Sequence, residues 1–263
     1  MENKKKVVWL GTSVPYGSCT FDHESYASYT AKKFEFELVP ASVPGEAIHG
    51  QIEDGKFEPL QWGSTALSKA EYAASGRIEI QDEPKMPWQP GTEDNELHPG
   101  TGYNDYYRTW ENIFNKENAD ADLFVFDVIP NNTNFSDDDW DAFDAEKWQY
   151  KDGSSFEAHR TTFLGALLFL MDKMYAMNPK AKMVMAIGCD LAYNEGKAAF
   201  EKVSKAWNIP IVDAWEKLDQ SEESMKKVKS DNGVNPHPSD YGHKELGKIF
   251  IKEFEKLLKE GIF

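Results

Sequence analysis

Ser13 sits in the stretch Val7–Gly17, VVWLGTSVPYG, where an apolar run stops at Gly-Thr-Ser and a Pro and a second Gly follow. His237 stands between two prolines in NPHPSDYGHKELG, Gly45 falls in PASVPGEAIHG, and Asn131 in DVIPNN. These residue types are the ones acyl transfer needs. A serine hydroxyl is a weak nucleophile until a base takes its proton, and histidine has a pKa suited to that task. A tetrahedral oxyanion needs donors aimed at it, which backbone N–H groups at a strand-to-helix turn and an Asn amide supply. Taken alone, a Ser after Gly-Thr reads as a helix cap or a phosphate-loop residue. GTSVPYGS has neither the Gly-Lys-Ser/Thr ending nor the Gly-x-Gly-x-x-Gly spacing of phosphate loops, which weakens a nucleotide-binding reading.

The elements around these residues alternate. Val7–Leu10 has the length and apolarity of a buried strand, Ser25–Phe34 reads as a helix, and Phe34–Ala41 as a second strand. Regularity lapses from Gly50 to about Ala121, a span too long for an ordinary connection and read as an insertion with its own structure. Asp122–Pro130 is the next strand. A helix over Phe156–Pro179, a strand over Lys182–Gly188, a helix over Glu195–Asn208 and a strand over Ile209–Trp215 follow. Ser239 or Asp240 caps a last helix that reaches Gly261. The pattern predicts an α/β fold, one domain over residues 1–263, whose parallel sheet of about five strands is covered on both faces. In such sheets the functional crevice lies at the carboxyl ends of the strands. Ser13, the Ala41–Gly45 turn, Asn131, Asn132 and Asp213 then share one edge, with His237 in the loop before the closing helix.

Bulk properties narrow the partners. A net charge of −16 over 263 residues argues against nucleic acid and anionic membranes, because phosphate binding needs a basic face. Cys19 and Cys189 match no metal spacing and read as two thiols, and His23, His49, His98 and His159 show no His-x-x-x-His or Cys spacing, so no metal is expected. The acidic run Ser136–Trp148 lacks the glycine and ligand rhythm of a calcium loop and reads as a capped, solvated helix start. The apolar run after MENKKK is too short for a signal peptide. A soluble, cytoplasmic protein is therefore expected, secretion requiring a leader trimmed from the sequence.

Ser, Gly, Asn and His in this order, each after a strand, resemble the SGNH hydrolases, also called the GDSL esterase/lipase family. The resemblance spans Val7–Gly17, Ala41–His49, Leu123–Asn132 and Asp231–Gly247. It implies a flavodoxin-like three-layer α/β/α fold and hydrolysis of esters of lipids, acylated sugars or small alcohols without a cofactor. It also implies Ser13 as nucleophile, an oxyanion hole of the Ser13 N–H, the Gly45 N–H and the Asn131 amide, and His237 as general base. Ser42 is the rival donor to Gly45, Asn132 to Asn131, and His243 the rival base.

The departures from the family pattern are specific. Gly-Asp-Ser is Gly11-Thr12-Ser13 here, and Gly-x-Asn-Asp is Ile129-Pro130-Asn131-Asn132. The family's acid lies three residues before the histidine, where this chain has Val234. The loop SDNGVNPHPS is lengthened, so either Asp231 serves as the acid or a backbone carbonyl orients the imidazole. The aromatics of the insertion and the absence of a long apolar lid favour a short acyl group, acetyl above all, on a carbohydrate. The substituted positions Ile129 and Val234 motivate a different class of reading, a catalytically silent relative of this fold that binds a glycan or a protein.

Overall fold

The computed structural model describes residues 4–17, 20, 24–42, 46–53, 56–61, 116–127, 137–189, 194–230, 233 and 235–263. In chain order these form β1 (Lys6–Gly11), α1 (Ser13–Tyr16), α2 (Tyr26–Phe34), β2 (Glu37–Ser42), β3 (Glu46–Glu53), β4 (Lys56–Gln61) and β5 (Leu123–Asp127). They continue with α3 (Asp137–Ala142), β6 (Phe143–Asp144), β7 (Gln149–Tyr150), α4 (Phe163–Met177), β8 (Lys182–Ile187) and α5 (Asn194–Trp207). The chain closes with β9 (Ile211–Asp213), α6 (Glu222–Val228), β10 (Lys229–Ser230), β11 (Asn235–Pro238) and α7 (Asp240–Lys259).

β1, β5 and β8 are apolar almost throughout because both of their faces are covered, as parallel strands require. They pair in a five-stranded sheet of order β2-β1-β5-β8-β9, every pairing parallel. From β1 the chain steps to one side for β2 and to the other for β5, β8 and β9, the doubly wound order of flavodoxin-like folds. Right-handed crossovers put α2 on one face and α4 and α5 on the other. α7 packs beside α2, and Phe163 of α4 meets Phe200 of α5, giving the expected three layers. Among the described residues, β3 and β4 form an antiparallel hairpin ahead of residue 62. Residues 62–115 of the expected insertion lie outside the described residues, and a 3₁₀ turn spans Lys116–Asn118 at its end.

α4 (FLGALLFLMDKMYAM) is apolar nearly all round, and such a helix must be covered on its outer side too. Residues 137–162 supply the cover, with Phe143, Trp148, Tyr150 and Phe156 packed edge to face or tilted against one another and Trp207 closing the cluster. The single helix expected over Phe156–Pro179 is in fact interrupted. A 3₁₀ turn spans Phe156–His159, and the chain restarts at α4 with Thr162 as N-cap, its hydroxyl accepting from the Gly165 N–H at 3.0 Å. Gly165 is required there, since a Cβ would collide with the His159 carbonyl. The acidic run is likewise less solvated than expected, for Asp139 is buried.

α7 buries one stripe, His243, Leu246, Gly247, Phe250, Phe254 and Leu257, against the sheet and α2. Ser239 caps it as expected: its Oγ accepts from the Gly242 N–H at 3.1 Å and donates to the Lys227 carbonyl. This hydroxyl ties the end of β11 to α6. Replacing it (Ser239→Ala) is expected to cost about 1 kcal/mol, read as a lower urea midpoint with an unchanged slope.

Candidate active site

The turn after β1 is built around a close approach. In register, Gly11 stands between Ser42 of β2 and Asp127 of β5. A Cβ at Gly11 would collide with the Pro15 ring, and it would crowd the Asp127 carbonyl at 3.0 Å and Ser42 Oγ at 3.1 Å. With glycine there, the chain turns straight from β1 into α1, and Ser13 becomes that helix's first residue. An N–H at this position has no partner within the helix and stays available to a ligand. Gly17 ends α1 in the left-handed region at φ 85°, where glycine carries no steric penalty. Ser13 thus stands at the carboxyl edge of the sheet, at the switch point between β1 and β5 where ligands bind in such folds.

His237 reaches it from the far end of the chain. It lies on β11, a short strand rather than the open loop expected, paired antiparallel with β10 and packed near α1. Its Nε2 is 2.8 Å from Ser13 Oγ, and both residues are half-buried. In the tautomer with its proton on Nδ1, the ring nitrogen accepts the serine hydroxyl, the arrangement a general base needs. Gly45, Asn131, Asn132, Asp231 and Val234 lie outside the described residues.

Three other residues singled out from the sequence are occupied elsewhere. Ser42, the rival oxyanion donor, gives its hydroxyl to the Trp9 carbonyl at 3.2 Å. His243, the rival base, is fully buried and stacked on Tyr26 with ring centroids 5.6 Å apart. Burial, with the nearby His237 adding to it, pushes its pKa down to about 3, so it packs as a neutral ring. Asp213 is paired with Lys197 at 2.9 Å, and the same ammonium reaches Glu216 at 2.6 Å.

Beneath the turn is a polar cluster that the sequence reading missed. Asp127, 2% exposed, accepts hydrogen bonds from Trp9 Nε1 at 3.0 Å and from Tyr26 Oη at 2.6 Å, with the Gly188 N–H as a further donor. Burial raises its pKa to about 7 despite those donors, with no cation beside the carboxylate among the described residues. Tyr26 is itself held between Phe250 and His243, so the phenol has little freedom to leave. The signal available in the sequence was an Asp closing an otherwise apolar strand, LFVFD.

No family model matches the sequence, and no curated protein matches it either. Solved structures resemble its fold. One, described as a GDSL-like lipase from Bacteroides ovatus, aligns over 97% of this chain and 100% of its own at 12% identity and a TM-score of 0.49. Another is a carbohydrate esterase whose active site displays divergent catalytic and non-catalytic binding functions, aligned over 97% of this chain and 66% of its own at 13% identity and a TM-score of 0.49. A third aligns over 97% of both chains at 13% identity and a TM-score of 0.50. At these identities the likeness is one of fold alone, and the expected α/β fold with a parallel central sheet is met. Among the described residues, no helix is long and apolar enough to cross a membrane.

Proposed function

We propose that this chain is a serine esterase of the SGNH type that removes short acyl groups, acetyl above all, from a carbohydrate. The observation that carries this reading is the 2.8 Å approach of His237 Nε2 to Ser13 Oγ, between residues 224 apart in sequence, at the switch point of the sheet. A hydrogen bond between a serine at a tight strand-to-helix turn and a histidine from the opposite end of the chain is what a nucleophile and its base require.

Ser13 Oγ attacks the ester carbonyl carbon as its proton passes to His237 Nε2. The Ser13 N–H, the Gly45 N–H and the Asn131 amide receive the oxyanion, and Asp231 orients the imidazole. The bond to the sugar oxygen then breaks, and that oxygen leaves with the proton from His237. Water, deprotonated by the same ring, attacks the acyl-serine and restores the hydroxyl. The segment from Gly50 to about Ala121 and residues Asn132–Asp152 shape the acyl and sugar pocket. The substrate is a small molecule or glycan ester, and the reaction uses no cofactor or metal ion.

The test is pre-steady-state release of 4-nitrophenol from its acetate. A burst of one equivalent per chain is expected in wild type and in Ser221→Ala. An acetylated oligosaccharide is expected to be turned over faster than the butyryl or longer nitrophenyl esters. A wild-type chain that hydrolyses none of a range of short acyl esters would sink the proposal and leave the silent binding module as the better description.

A further inference from the structure

A second serine, histidine and aspartate are aligned in the cover of α4, apart from Ser13 and His237. Ser154 Oγ lies 2.7 Å from His159 Nε2, and His159 Nδ1 lies 3.2 Å from Asp139 Oδ1. Asp139 is buried, and its second oxygen accepts from Thr162 Oγ1 at 2.6 Å, so the carboxylate is fixed from both ends. His159 is fixed as well, its ring stacked parallel on Tyr150 with centroids 3.4 Å apart. Such an array is recognised by geometry and roles, not by chain order. The sequence order Asp139, Ser154, His159 gives no motif to find.

Ser154 also opens on space. It lines a surface groove of about 260 Å³ together with Trp148, Phe156 and Phe169. Lys173 lies along the same groove, its ammonium 5.1 Å from the Phe169 ring centroid. The aromatic faces suit the ring of a small ester and Lys173 the negative charge that develops on its carbonyl, while Glu157 and Asp172 on the same groove disfavour an anionic acyl group. One feature opposes reactivity. Asp152 Oδ1 lies 2.6 Å from Ser154 Oγ and also accepts the Ser154 N–H at 2.9 Å. The hydroxyl has a single proton, so Asp152 competes with His159 for it.

We propose that Ser154, His159 and Asp139 form a second nucleophilic site, directed at small ring-bearing carboxylic esters, which Asp152 holds back by accepting the serine hydroxyl's hydrogen bond. When the hydroxyl turns to His159, Ser154 Oγ attacks the ester carbonyl and its proton passes to Nε2. The alcohol departs with that proton, and water releases the acyl group in the same way. The proposal stands on a different nucleophile and base from the Ser13 reading and does not depend on it.

The experiment is phosphonylation by an alkyl fluorophosphonate, followed by intact mass and peptide mapping. The Ser Oγ–P bond forms as the P–F bond breaks, and fluoride and the serine proton are lost. Ser13→Ala protein is expected to take the label slowly at Ser154. Adding Asp152→Ala should speed labelling about tenfold, the worth of one charge-assisted hydrogen bond. In that background His159→Gln should slow it at least about 100-fold, while the Ser13→Ala/Ser154→Ala double variant should remain unlabelled. Thermal melting of each variant separates lost chemistry from lost folding. Wild-type protein labelled at Ser154 alone would uphold this site and overturn the Ser13 assignment. No adduct at Ser154 in folded Ser13→Ala and Ser13→Ala/Asp152→Ala proteins would overturn the second site, as would labelling that is indifferent to His159→Gln.

Discussion

Ser13→Ala is expected to lower kcat/KM for 4-nitrophenyl acetate by at least about 10³-fold and to remove the burst entirely, while the protein keeps its fold. The first half follows from the role. Without the hydroxyl there is no acyl-enzyme at this site, and what remains is attack by water aided by the oxyanion donors, with slow turnover at the restrained Ser154. The second half follows from position. Ser13 begins a four-residue helix and gives up one half-buried hydrogen bond, worth about 1 kcal/mol, with no cavity in the core. His237→Ala should fall by a similar factor, and the double variant should fall no further, because nucleophile and base act as one unit. Steady-state rates on the three proteins check this, with far-ultraviolet circular dichroism as the control for folding. If the two losses multiplied instead, the serine and the histidine would be acting independently, and the paired role would be wrong.

The second large effect concerns Asp127. In the unfolded chain its carboxyl titrates near the ordinary value of about 3.9. In the folded protein burial raises this to about 7, so between those values the native state holds a proton that the unfolded state has released. Stability therefore falls as pH rises through that window, by up to about 1.4 kcal/mol per pH unit, about 4 kcal/mol across the whole of it. The contribution is fully present below the unfolded value and is lost above about 7. Asp127→Asn cannot titrate. The wild-type advantage over this variant, measured by urea denaturation, is therefore expected to be larger at pH 5 than at pH 8 and largest below about pH 4. The opposite slope would mean that the donors from Trp9, Tyr26 and Gly188 outweigh burial and hold the carboxylate ionised. Asp127→Leu should be worse at every pH, by about 3 kcal/mol or more, because the indole and phenol donors lose their acceptor inside the core.

How much of this was legible beforehand differs by element. The three central strands announced themselves, because a parallel strand buried on both faces is a short unbroken apolar run and VVWL, LFVF and MVMAI are such runs. α2 was legible from its helical pattern over Ser25–Phe34, and α7 from its cap, Ser239. The 3₁₀ turn before α4 was not, since FEAHRTTFLGALLF is apolar enough to read as one helix. Only the contact of Gly165 with the His159 backbone, a tertiary fact, forces the break. The pairing of Ser13 with His237 could be anticipated from residue type and strand order, because the sheet rule brings strand ends to one edge. Asp127 could not, for a lone Asp at a strand end gives no hint that a phenol and an indole will meet on it. The Ser154 array was hidden more deeply. Its histidine showed no spacing to any partner, and its aspartate sat within an acidic run that reads as surface.

The sheet order has a consequence in time. Ser13 leaves the ribosome with β1, whereas His237 follows 224 residues later. At elongation rates of roughly 5–20 residues per second, the serine exists for about 10–50 s before its partner has been made. Throughout that interval its hydroxyl is an ordinary alcohol, because the imidazole that would take its proton is still unbuilt. Completion of the carboxyl-terminal segment therefore acts as a built-in arming step. In a nascent or prematurely terminated chain that stops short of β11, Ser13 stays unarmed even if all five sheet strands have assembled.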